Sequence, residues 1–546
     1  MRRPDRAIAL VLVMLVMALM LLLMGAFVRV HHGSLSILQS GSDREAMERA
    51  CASAMDYCVF RLEHNKNWGK AKFGETWTDR SLAPALEATE IGNRRRIEGR
   101  IPELGATFQV DISNNLMDST QSDEGVPAYG CRLDIRASVA GKTRGHEVIL
   151  LVAPLFDGAA VSSGGIFVDA ASLLIASEDP RRNQIRSRGE IRVPAGGKLL
   201  FEPKLEGPDK GLIWSQKDIL VGGRSVSDPP VMNRVAGLTG GRFIPGALNN
   251  YDIHDLKISE IKPPSRNGTM KSGIYLFARE EVEVGGEKVT IRMLQRRTRA
   301  LDESGFQGGT IEEFYYMAGE APPGARLAGT SIEGRALDPA EPWLVDGLVK
   351  VDFDDWEVWV DEDANIQVDG DFGVASYQNT IVPRLRFGEL RGGVSNQEEN
   401  VGSSSITVTG DIGIEGPIVG TGKLLAEKSV HLRPNYAMVE ADVESDLSIY
   451  AGTNIDIRPP FNDEAGQTAD RDLVFRGLLY AAEDLSITTR PNQLLRIEGA
   501  AVARNGKINI YDASDVVLRY SPLYVDTLVK ELPDGRIHLE RALWKD

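Results

Sequence analysis

Residues 7–28 read AIALVLVMLVMALMLLLMGAFV, an uninterrupted apolar run of 22 residues with no charged side chain. At about 1.5 Å of rise per residue, a helix of this length extends roughly 33 Å, which matches the hydrocarbon core of a bilayer. A helix also satisfies its own backbone hydrogen bonds in lipid. We therefore predict that residues 7–28 form a transmembrane helix that anchors the chain.

The residues before this run set the predicted orientation. Arg2, Arg3 and Arg6 make residues 1–6 a basic tip, and positively charged flanks stay in the cytoplasm. The bulk of the chain is then expected outside the cytoplasm, in a single-pass arrangement. A cleaved signal peptide is the alternative, but its apolar core usually spans about 7–15 residues before a small-x-small site. Residues 24–26 (MGA) fit that site poorly, so we expect the anchor to be retained.

Composition limits the possible functions. The chain of 546 residues contains 26% charged and 42% hydrophobic residues, which allows about two to four folded domains. Its formal net charge of −16 argues against a surface that binds a polyanion. We therefore expect no nucleic-acid partner.

The three cysteines are Cys51, Cys58 and Cys131. On one helix, Cys51 and Cys58 would lie about 10 Å apart along the axis, whereas a disulfide needs Cα atoms within about 7 Å. Either of them could in principle meet Cys131, but buried free thiols are the favoured interpretation. The spacing of the cysteines matches no zinc site.

The segment after the apolar run, residues 29–70, has a helical pattern. Its apolar residues recur every three or four positions and share one face: Met47, Ala50, Ala54, Cys58 and Leu62. Asp43 is suited to cap a second helix, after a kink near Gly33 or Gly41, and the pattern ends near His64. We predict that this helix continues from the anchor and docks on a globular domain.

The N-terminal region resembles a known family. A basic start, a long apolar helix, the alanine-rich stretch 49–54 (RACASA) and residues 65–69 (NKNWG) are similar to the PilX-type N-terminal region of minor pilin-like proteins in type IV pilus assembly. The resemblance covers roughly residues 1–70. Ordinary prepilins carry Gly before the peptidase cut and Glu five residues into the mature chain, whereas Arg6-Ala7 and Val11 stand here. We therefore expect no processing by a prepilin peptidase.

The resemblance implies a non-enzymatic structural subunit of the cell envelope that acts in type IV pilus or type II secretion-like assembly. It implies that other pilin-like subunits bind through the transmembrane helix. It also implies that the chain lies in the bacterial inner membrane, with its bulk periplasmic or extracellular.

Residues 71–157 are expected to form a small pilin-like α+β domain. Alternating apolar residues predict strands over residues 106–112, 131–139 and 146–152, and the last two flank a hairpin connection at residues 141–145. One long helix against antiparallel strands is the plan of a pilin head, so this expectation is a fold-level analogy.

A repeated motif runs through residues 158–520. Each copy has Gly, an apolar residue two positions on, Ser or Asp seven on, and apolar residues eight and ten on; the copies begin at Gly165, Gly211, Gly422 and Gly477. Looser copies begin at Gly273 and Gly499. The pattern predicts a strand, a tight polar corner and a second strand. Such a unit must stack on its neighbours to bury its apolar face.

We therefore predict a membrane-anchored, mainly β chain in which residues 158–520 form a right-handed β-solenoid, with a β-sandwich as the alternative. The solenoid portion also resembles bactofilin-like and pilin-associated β-helices. Equivalent inward positions are expected for two sets of residues: Phe167, Ile213, Leu424 and Leu479, and then Leu173, Ile219, Val430 and Leu485. Residues 222–250 are expected to be loops and residues 349–360 one strand. Residues 521–546, which include a helical turn at 525–532 and a closing strand at 536–544, are expected to cap the last coil.

No motif predicts a catalytic, metal-binding or cofactor-binding residue. Residues 361–365 (DEDAN) open like a calcium loop, but the Gly and the final Glu of that loop are missing, which favours a hairpin turn. Residues 416–423 (GPIVGTGK) have one residue too many for a phosphate loop and are not followed by its Ser or Thr, which favours a structural role. His31 and His32 point to different helix faces and are expected at the membrane interface.

Two other function classes stay open on the sequence alone. An exposed groove of acidic and aromatic residues would mark a membrane-tethered β-helical protein that binds or cleaves cell-surface polysaccharide; the residues that could form it are Asp354, Asp355, Trp356, Glu357 and Trp359. A solenoid with an uncapped end would instead suit a scaffold that stacks end to end.

Overall fold

The computed structural model of the chain describes residues 5–65, 68–69, 86–91, 94–116, 122, 125–127, 130–152, 156, 158–177, 182–195, 198–202, 211–248, 253–261, 264–298, 309–327, 330–332, 334–338, 345–377, 381–388, 404–433, 446–459, 472–490, 492–521 and 539–545. The chain divides into two compact units. The head unit comprises Met1–Ala153 and Arg536–Asp546, and the solenoid unit comprises Pro154–Gly535.

The head unit packs one long helix against one antiparallel sheet. Its elements are α1 (Asp5–His64), β1 (Leu86–Ile91), β2 (Arg94–Ile101), a short 3₁₀ helix (Pro102–Leu104), β3 (Ala106–Asn115), β4 (Gly130–Val139) and β5 (Lys142–Val152), joined by a last strand from the end of the chain, Leu539–Lys545. The strand order is β1-β2-β3-β4-β5 followed by that last strand. The three strands predicted from alternation are confirmed. Among the described residues, no helix is both long enough and apolar enough to cross a membrane.

Two local details of the head unit differ from expectation. α1 is one uninterrupted helix that ends at His64 as predicted, so no second helix begins at Asp43. The connection between β4 and β5 is a two-residue turn, because Val139 pairs directly with Lys142. Ala140 and Gly141 both have positive φ angles, 49° and 80°, the conformation that matches the twist of a tight hairpin. β5 therefore begins at Lys142, four residues earlier than predicted from the glycines.

The closing strand predicted for residues 536–544 does not cap the solenoid, which corrects that expectation. Residues Leu539–Lys545 pair antiparallel with β5, and Leu539 lies opposite Val152. The alternating pattern of this segment made a strand predictable, but its pairing partner lies almost four hundred positions earlier in the chain. The solenoid unit is thus inserted between two neighbouring strands of the head sheet. The helical turn predicted for residues 525–532 lies outside the described residues.

This insertion predicts that the head unit folds without the solenoid. Replacing residues 153–538 by Asn-Gly should join Val152 to Leu539 by a two-residue hairpin, since these residues are already cross-strand partners. We expect protected amides in β3–β5 when the shortened chain is held in mild detergent and followed by hydrogen exchange. A matched chain that ends at residue 152 lacks the last strand and should exchange faster in β5. Equal, rapid exchange in both chains would contradict independent folding.

The solenoid unit consists mostly of short strands. In chain order they are β6 (Ala160–Ser162), β7 (Gly165–Ser177), β8 (Gln184–Ser187), β9 (Glu190–Val193), β10 (Leu199–Glu202), β11 (Leu212–Ser215), β12 (Ile219–Val221), β13 (Arg224–Ser225), helix α2 (Pro229–Thr239), β14 (Arg242–Ile244), a 3₁₀ turn (Ile258–Glu260), β15 (Arg266–Met270), β16 (Gly273–Val284), β17 (Glu287–Arg297), β18 (Ile311–Met317), β19 (Arg326–Leu327), β20 (Thr330–Ser331), β21 (Arg335–Leu337), β22 (Val349–Asp352), β23 (Glu357–Asp361), β24 (Ala364–Val368), β25 (Phe372–Ser376), β26 (Arg384–Gly388), β27 (Ser404–Val408), β28 (Ile412–Glu415), β29 (Ile418–Val419), β30 (Gly422–Ala426), β31 (Val430–Arg433), β32 (Leu447–Ala451), β33 (Ile455–Ile457), β34 (Leu473–Ala481), β35 (Leu485–Thr488), β36 (Leu494–Ala503) and β37 (Lys507–Tyr520). The strand at Leu539–Lys545 is β38.

These strands stack in parallel on three faces. Face 1 runs β15-β24-β27-β30-β32-β34-β36-β6-β8-β11-β14. Face 2 runs β16-β25-β28-β31-β33-β35-β37-β7-β9-β12. Face 3 consists of two separate stacks of strands among the described residues. One is β23-β26-β29, and the other is formed by parts of β34, β36, β37, β7 and β10. Parallel columns of this kind fit stacked coils and not the sandwich alternative, whose strands pair antiparallel.

The inward columns confirm most of the predicted repeat. Leu424, Leu479 and Ile213 occupy one face 1 column, linked through intervening coils. A face 2 column likewise joins Val430, Leu485 and Ile219, and all six residues are buried. Gly477 pairs with Gly499, one coil later, so the spacing of 22 residues is one turn of the solenoid.

The copy that begins at Gly165 is out of phase with the others. Phe167 lies on the outward side of face 2, opposite Asn509, and Leu173 belongs to a face 3 column with Leu199. Both equivalences predicted for this copy are wrong. The reason is that β7 runs along two faces without a polar corner, so Gly165 follows a corner instead of opening a face 1 strand. Apolar residues alternate along a strand whichever face it belongs to, so the sequence pattern could not distinguish the two arrangements.

The polar residue at the seventh position of the repeat makes hydrogen bonds from coil to coil. Asp411 lies at the equivalent corner between β27 and β28, and its carboxylate accepts a hydrogen bond from the Ser429 backbone N–H at 2.9 Å. The Asp484 carboxylate accepts one from the Lys507 N–H at 2.6 Å. Corner N–H groups would otherwise have no strand partner, so a short side chain with an acceptor oxygen is favoured there.

The order of the coils along the stack differs from their order in the sequence. β7, the first long strand of the unit, pairs with β37, the last one. β14 lies at one end of the stack and β15, the next strand in the chain, lies at the other end. In the return segment between them, Ile253, Leu256 and Ile261 are buried in the solenoid's hydrophobic cluster. The Leu256 N–H donates to the Tyr480 hydroxyl at 3.2 Å. The first and last coils therefore meet in the middle of the stack.

Several segments of the unit correct sequence expectations. Residues 349–360 form two strands, β22 and β23, joined by a turn in which the Asp352 carboxylate accepts the N–H of Asp354 at 2.9 Å. The predicted hairpin turn at residues 361–365 is a corner between β23 and β24, which lie in different sheets. Within the expected loop 222–250, α2 forms because its prolines occupy the first turn, where no backbone N–H is needed.

Both ends of the described stack carry elements other than coils. Near β14, helix α2 packs with buried Val235 and Thr239, and β13 folds back on β12. At the other end β16, β17 and β18 form an antiparallel extension. The uncapped end that would have favoured an end-to-end scaffold is thus not found among the described residues.

Candidate functional site

The second half of α1 anchors the helix on the head sheet. The face predicted from the three-and-four spacing is buried as expected: Met47, Ala50, Ala54, Cys58 and Leu62. Polar contacts flank this face. Lys142 on β5 binds Asp43 at 2.8 Å, and Arg144 binds Glu48 at 2.7 Å. Asp43 therefore forms an ion pair with the sheet rather than the predicted helix cap.

The three cysteines lie within the same packed region. Cys51, Cys58 and Cys131 are free thiols and are fully buried, which confirms the interpretation favoured from the sequence. Burial raises the pKa of Cys51 to about 11 and also raises the pKa values of Cys58 and Cys131. Because the thiolate is the reactive form, these groups are poorly suited to nucleophilic or metal chemistry.

The first half of α1 presents a different surface. We call residues 14–25 the apolar segment; its large hydrophobic side chains are exposed by fractions from 46% at Val16 to 73% at Leu22. Leucine, valine and methionine occupy every side of the helix there. A helix that is apolar all round is stable only when something covers it, and continuous exposed apolar surface marks an interaction site. The apolar segment is therefore the candidate functional site of the head unit.

The predicted acidic and aromatic groove is not formed by the described residues. Trp356 is 9% exposed and packs edge-on against Phe277 at 5.7 Å. The half-buried Trp359 has Lys350 and Arg386 over its ring at 5.8 Å and 5.3 Å. These cations come from the strands on either side of β23, so the ring is already engaged in two cation–π contacts.

The carboxylates beside these rings are engaged by cations. Asp352, Asp355 and Glu357 each place an oxygen within 4.8 Å of the others. Glu357 is buried, which raises its pKa, but Arg386 binds it at 3.0 Å. Lys350 binds Asp352 at 3.4 Å. Cations thus bind two of the three carboxylates, Asp352 and Glu357, which favours a structural ion-pair network.

The two loop motifs considered from the sequence have structural roles. Asp361 of the calcium-like stretch binds Arg266 at 2.6 Å. In residues 416–423, Gly416 and Gly420 adopt φ angles of 95° and 92° at tight bends. Lys423 is 3% exposed within β30 and its pKa is lowered by burial to about 7, so it does not project as a phosphate-binding cation would. The side chains of His31 and His32 lie outside the described residues.

No protein-family model matches the chain, and no curated protein matches it. Among solved structures, the chain is similar to the competence-associated pilin ComZ from Thermus thermophilus, with 9% sequence identity, 93% of this chain and 97% of that chain covered, and a TM-score of 0.32.

Proposed function

We propose that the chain is a non-enzymatic, pilin-like structural subunit of the cell envelope that acts in type IV pilus or type II secretion-like assembly. In this proposal residues 7–28 anchor it in the bacterial inner membrane, and the basic tip stays in the cytoplasm. The observation that carries the proposal is the division of α1 into a half packed on an antiparallel sheet and a half whose apolar side chains are exposed on every side.

The mechanism proposed is assembly through the first half of α1. A bilayer covers such a helix when the subunit is alone, and apolar helices of other pilin-like subunits cover it in an assembly. The head sheet holds the second half of α1, while the solenoid, which we take to be right-handed, presents a surface outside the cytoplasm. The arrangement around Trp359 gives no support to the polysaccharide alternative.

The anchoring step is tested by placing charges in the apolar segment. Leu19→Arg with Leu22→Arg should move the full chain out of the alkali-resistant membrane fraction, since each arginine at a helix centre costs about 2.5–3.5 kcal/mol of insertion free energy. Arg49→Ala is the matched control, because Arg49 is exposed in the sheet-packed half of α1 and pairs with the exposed Glu45 across one turn. Membrane retention of the double variant would contradict the anchor.

Orientation and assembly need separate measurements. A reporter fused after Asp546 should be active only outside the cytoplasm, and protection of the solenoid from protease in intact spheroplasts would refute that orientation. A photo-crosslinker placed at Leu23 should link the chain to other pilin-like subunits in cells. Crosslinks to lipid alone would leave the anchor in place and contradict the assembly role.

A further inference from the structure

Sulfur atoms are distributed unevenly in the head unit. The three cysteines are buried, as described above, and so is Met47, which is 6% exposed. The methionines of the apolar segment are in the opposite situation, with large exposed fractions: Met14 65%, Met17 61%, Met20 67% and Met24 68%. Before lipid or another helix covers this segment, reagents that attack sulfur would therefore reach its thioethers before the thiols of the core.

The four methionines also share one side of the helix. They follow one another at spacings of three, three and four residues, and at 3.6 residues per turn they fall within an arc of about 120°. We call Met14, Met17, Met20 and Met24 the methionine stripe. Leucine, valine and alanine occupy the other positions of residues 14–24, so the stripe holds every oxidisable sulfur of the apolar segment.

We propose that the methionine stripe makes the apolar segment an oxidation-sensitive site, whose conversion to sulfoxides by a peroxide blocks insertion and packing of the helix. In each step the thioether sulfur attacks a peroxide oxygen and the O–O bond breaks. One oxygen is transferred to sulfur, which is oxidised by two electrons, and the other leaves as water. The inference rests on the proposed function, because only a segment that must be covered by apolar surroundings is impaired by added polarity.

The consequence follows from the polarity of the product. A thioether is apolar and flexible, whereas a sulfoxide carries a strong hydrogen-bond acceptor. Neither a bilayer core nor a neighbouring apolar helix offers donors to that oxygen, so each buried sulfoxide is an unsatisfied polar group. Leucine has nearly the same volume as methionine and cannot be oxidised in this way. A leucine variant therefore separates oxidisability from apolarity.

The test uses the full chain in mild detergent, treated or not with hydrogen peroxide and then mixed with liposomes of phosphatidylethanolamine and phosphatidylglycerol. Liposome flotation measures binding, and mass spectrometry of peptides measures sulfoxide at each methionine. We expect the four stripe methionines to oxidise before Met47, and most of the oxidised protein to stay in the bottom fraction. Enzymatic reduction of the sulfoxides should restore flotation. The variant with all four stripe methionines replaced by leucine should float equally well before and after peroxide.

The outcomes separate this inference from the proposed function. If untreated wild type and the leucine variant both fail to float, the anchor itself is wrong. If untreated wild type floats and the fully oxidised protein floats equally well, the anchor stands and the oxidation-sensitive site is overturned. Loss of flotation by the leucine variant after peroxide would also overturn it, because the effect would then arise elsewhere in the chain.

Discussion

Leu479→Ala should lower the free energy of unfolding of the solenoid unit by about 2–5 kcal/mol, the usual cost of truncating a large buried side chain. Leu479 has no exposed surface and lies in the face 1 column between Ile449 and Ala501. Parallel coils contact only their neighbours, so the cavity cannot be filled by movement along the stack. Chemical denaturation of the full chain, followed by the tyrosine and tryptophan signals of the solenoid, measures the change.

Glu483→Ala is the matched control for this prediction. Glu483 is exposed at the corner of the same coil, and a surface substitution of this kind usually changes stability by less than about 0.5 kcal/mol. Hydrogen exchange should show that the damage from Leu479→Ala spreads first to the adjoining strands β32 and β36. Equal, small effects at both positions would contradict a core built from stacked columns.

Gly506→Ala should destabilise the solenoid unit by about 1–3 kcal/mol, because the added Cβ would overlap atoms of a closely packed corner. An added Cβ at residue 506 would lie 2.5 Å from the Glu483 carbonyl oxygen and would also overlap the Asp484 carboxylate. These groups belong to the previous coil, and the Asp484 carboxylate already accepts the Lys507 N–H. Relief of the clash would therefore separate two coils and break a hydrogen bond between them.

Gly237→Ala provides the control, since apart from the adjoining residues and backbone of α2 itself nothing lies within 4 Å of the added Cβ. Replacement of glycine by alanine inside a helix typically stabilises it by roughly 0.5–1 kcal/mol. Thermal unfolding of the two variants should thus shift in opposite directions from the wild type. A neutral Gly506→Ala variant would mean that the corners are not packed as closely as described.

The sequence by itself determined the local elements of this protein. The spacing of Met47, Ala50 and Ala54 predicted the buried face of α1, because side chains three and four positions apart meet on one side of a helix. Alternation predicted β3, β4 and β5, and the Gly and Asp of the repeat predicted strands that meet at a polar corner. Three further copies of that corner, at residues 364–372, 404–412 and 447–455, have the same strand and corner pattern but lack the leading glycine of the repeat, and the last has Asn454 at the corner.

The sequence also predicted that the apolar segment would not be buried in the chain's own globular core. An apolar run of this length without a charge must be covered by something, whatever the rest of the chain does. The sequence singled out Asp355 and Glu357 but not Asp352, which completes their cluster in place of Asp354, and it did not reveal their cation partners. Arg384 and Arg386 lie about thirty positions away and meet Glu357 only because β26 stacks beside β23.

Only the tertiary structure decided which elements are neighbours. The alternation of β38 could not reveal that this strand completes the head sheet, and the repeat could not reveal that β7 stacks on β37. In both cases the partners are more than three hundred positions apart. Every coil of the solenoid presents the same inward apolar pattern, so any two coils are locally compatible. Their order is fixed by long-range contacts such as the return segment on Tyr480, and no local pattern of residues contains that information.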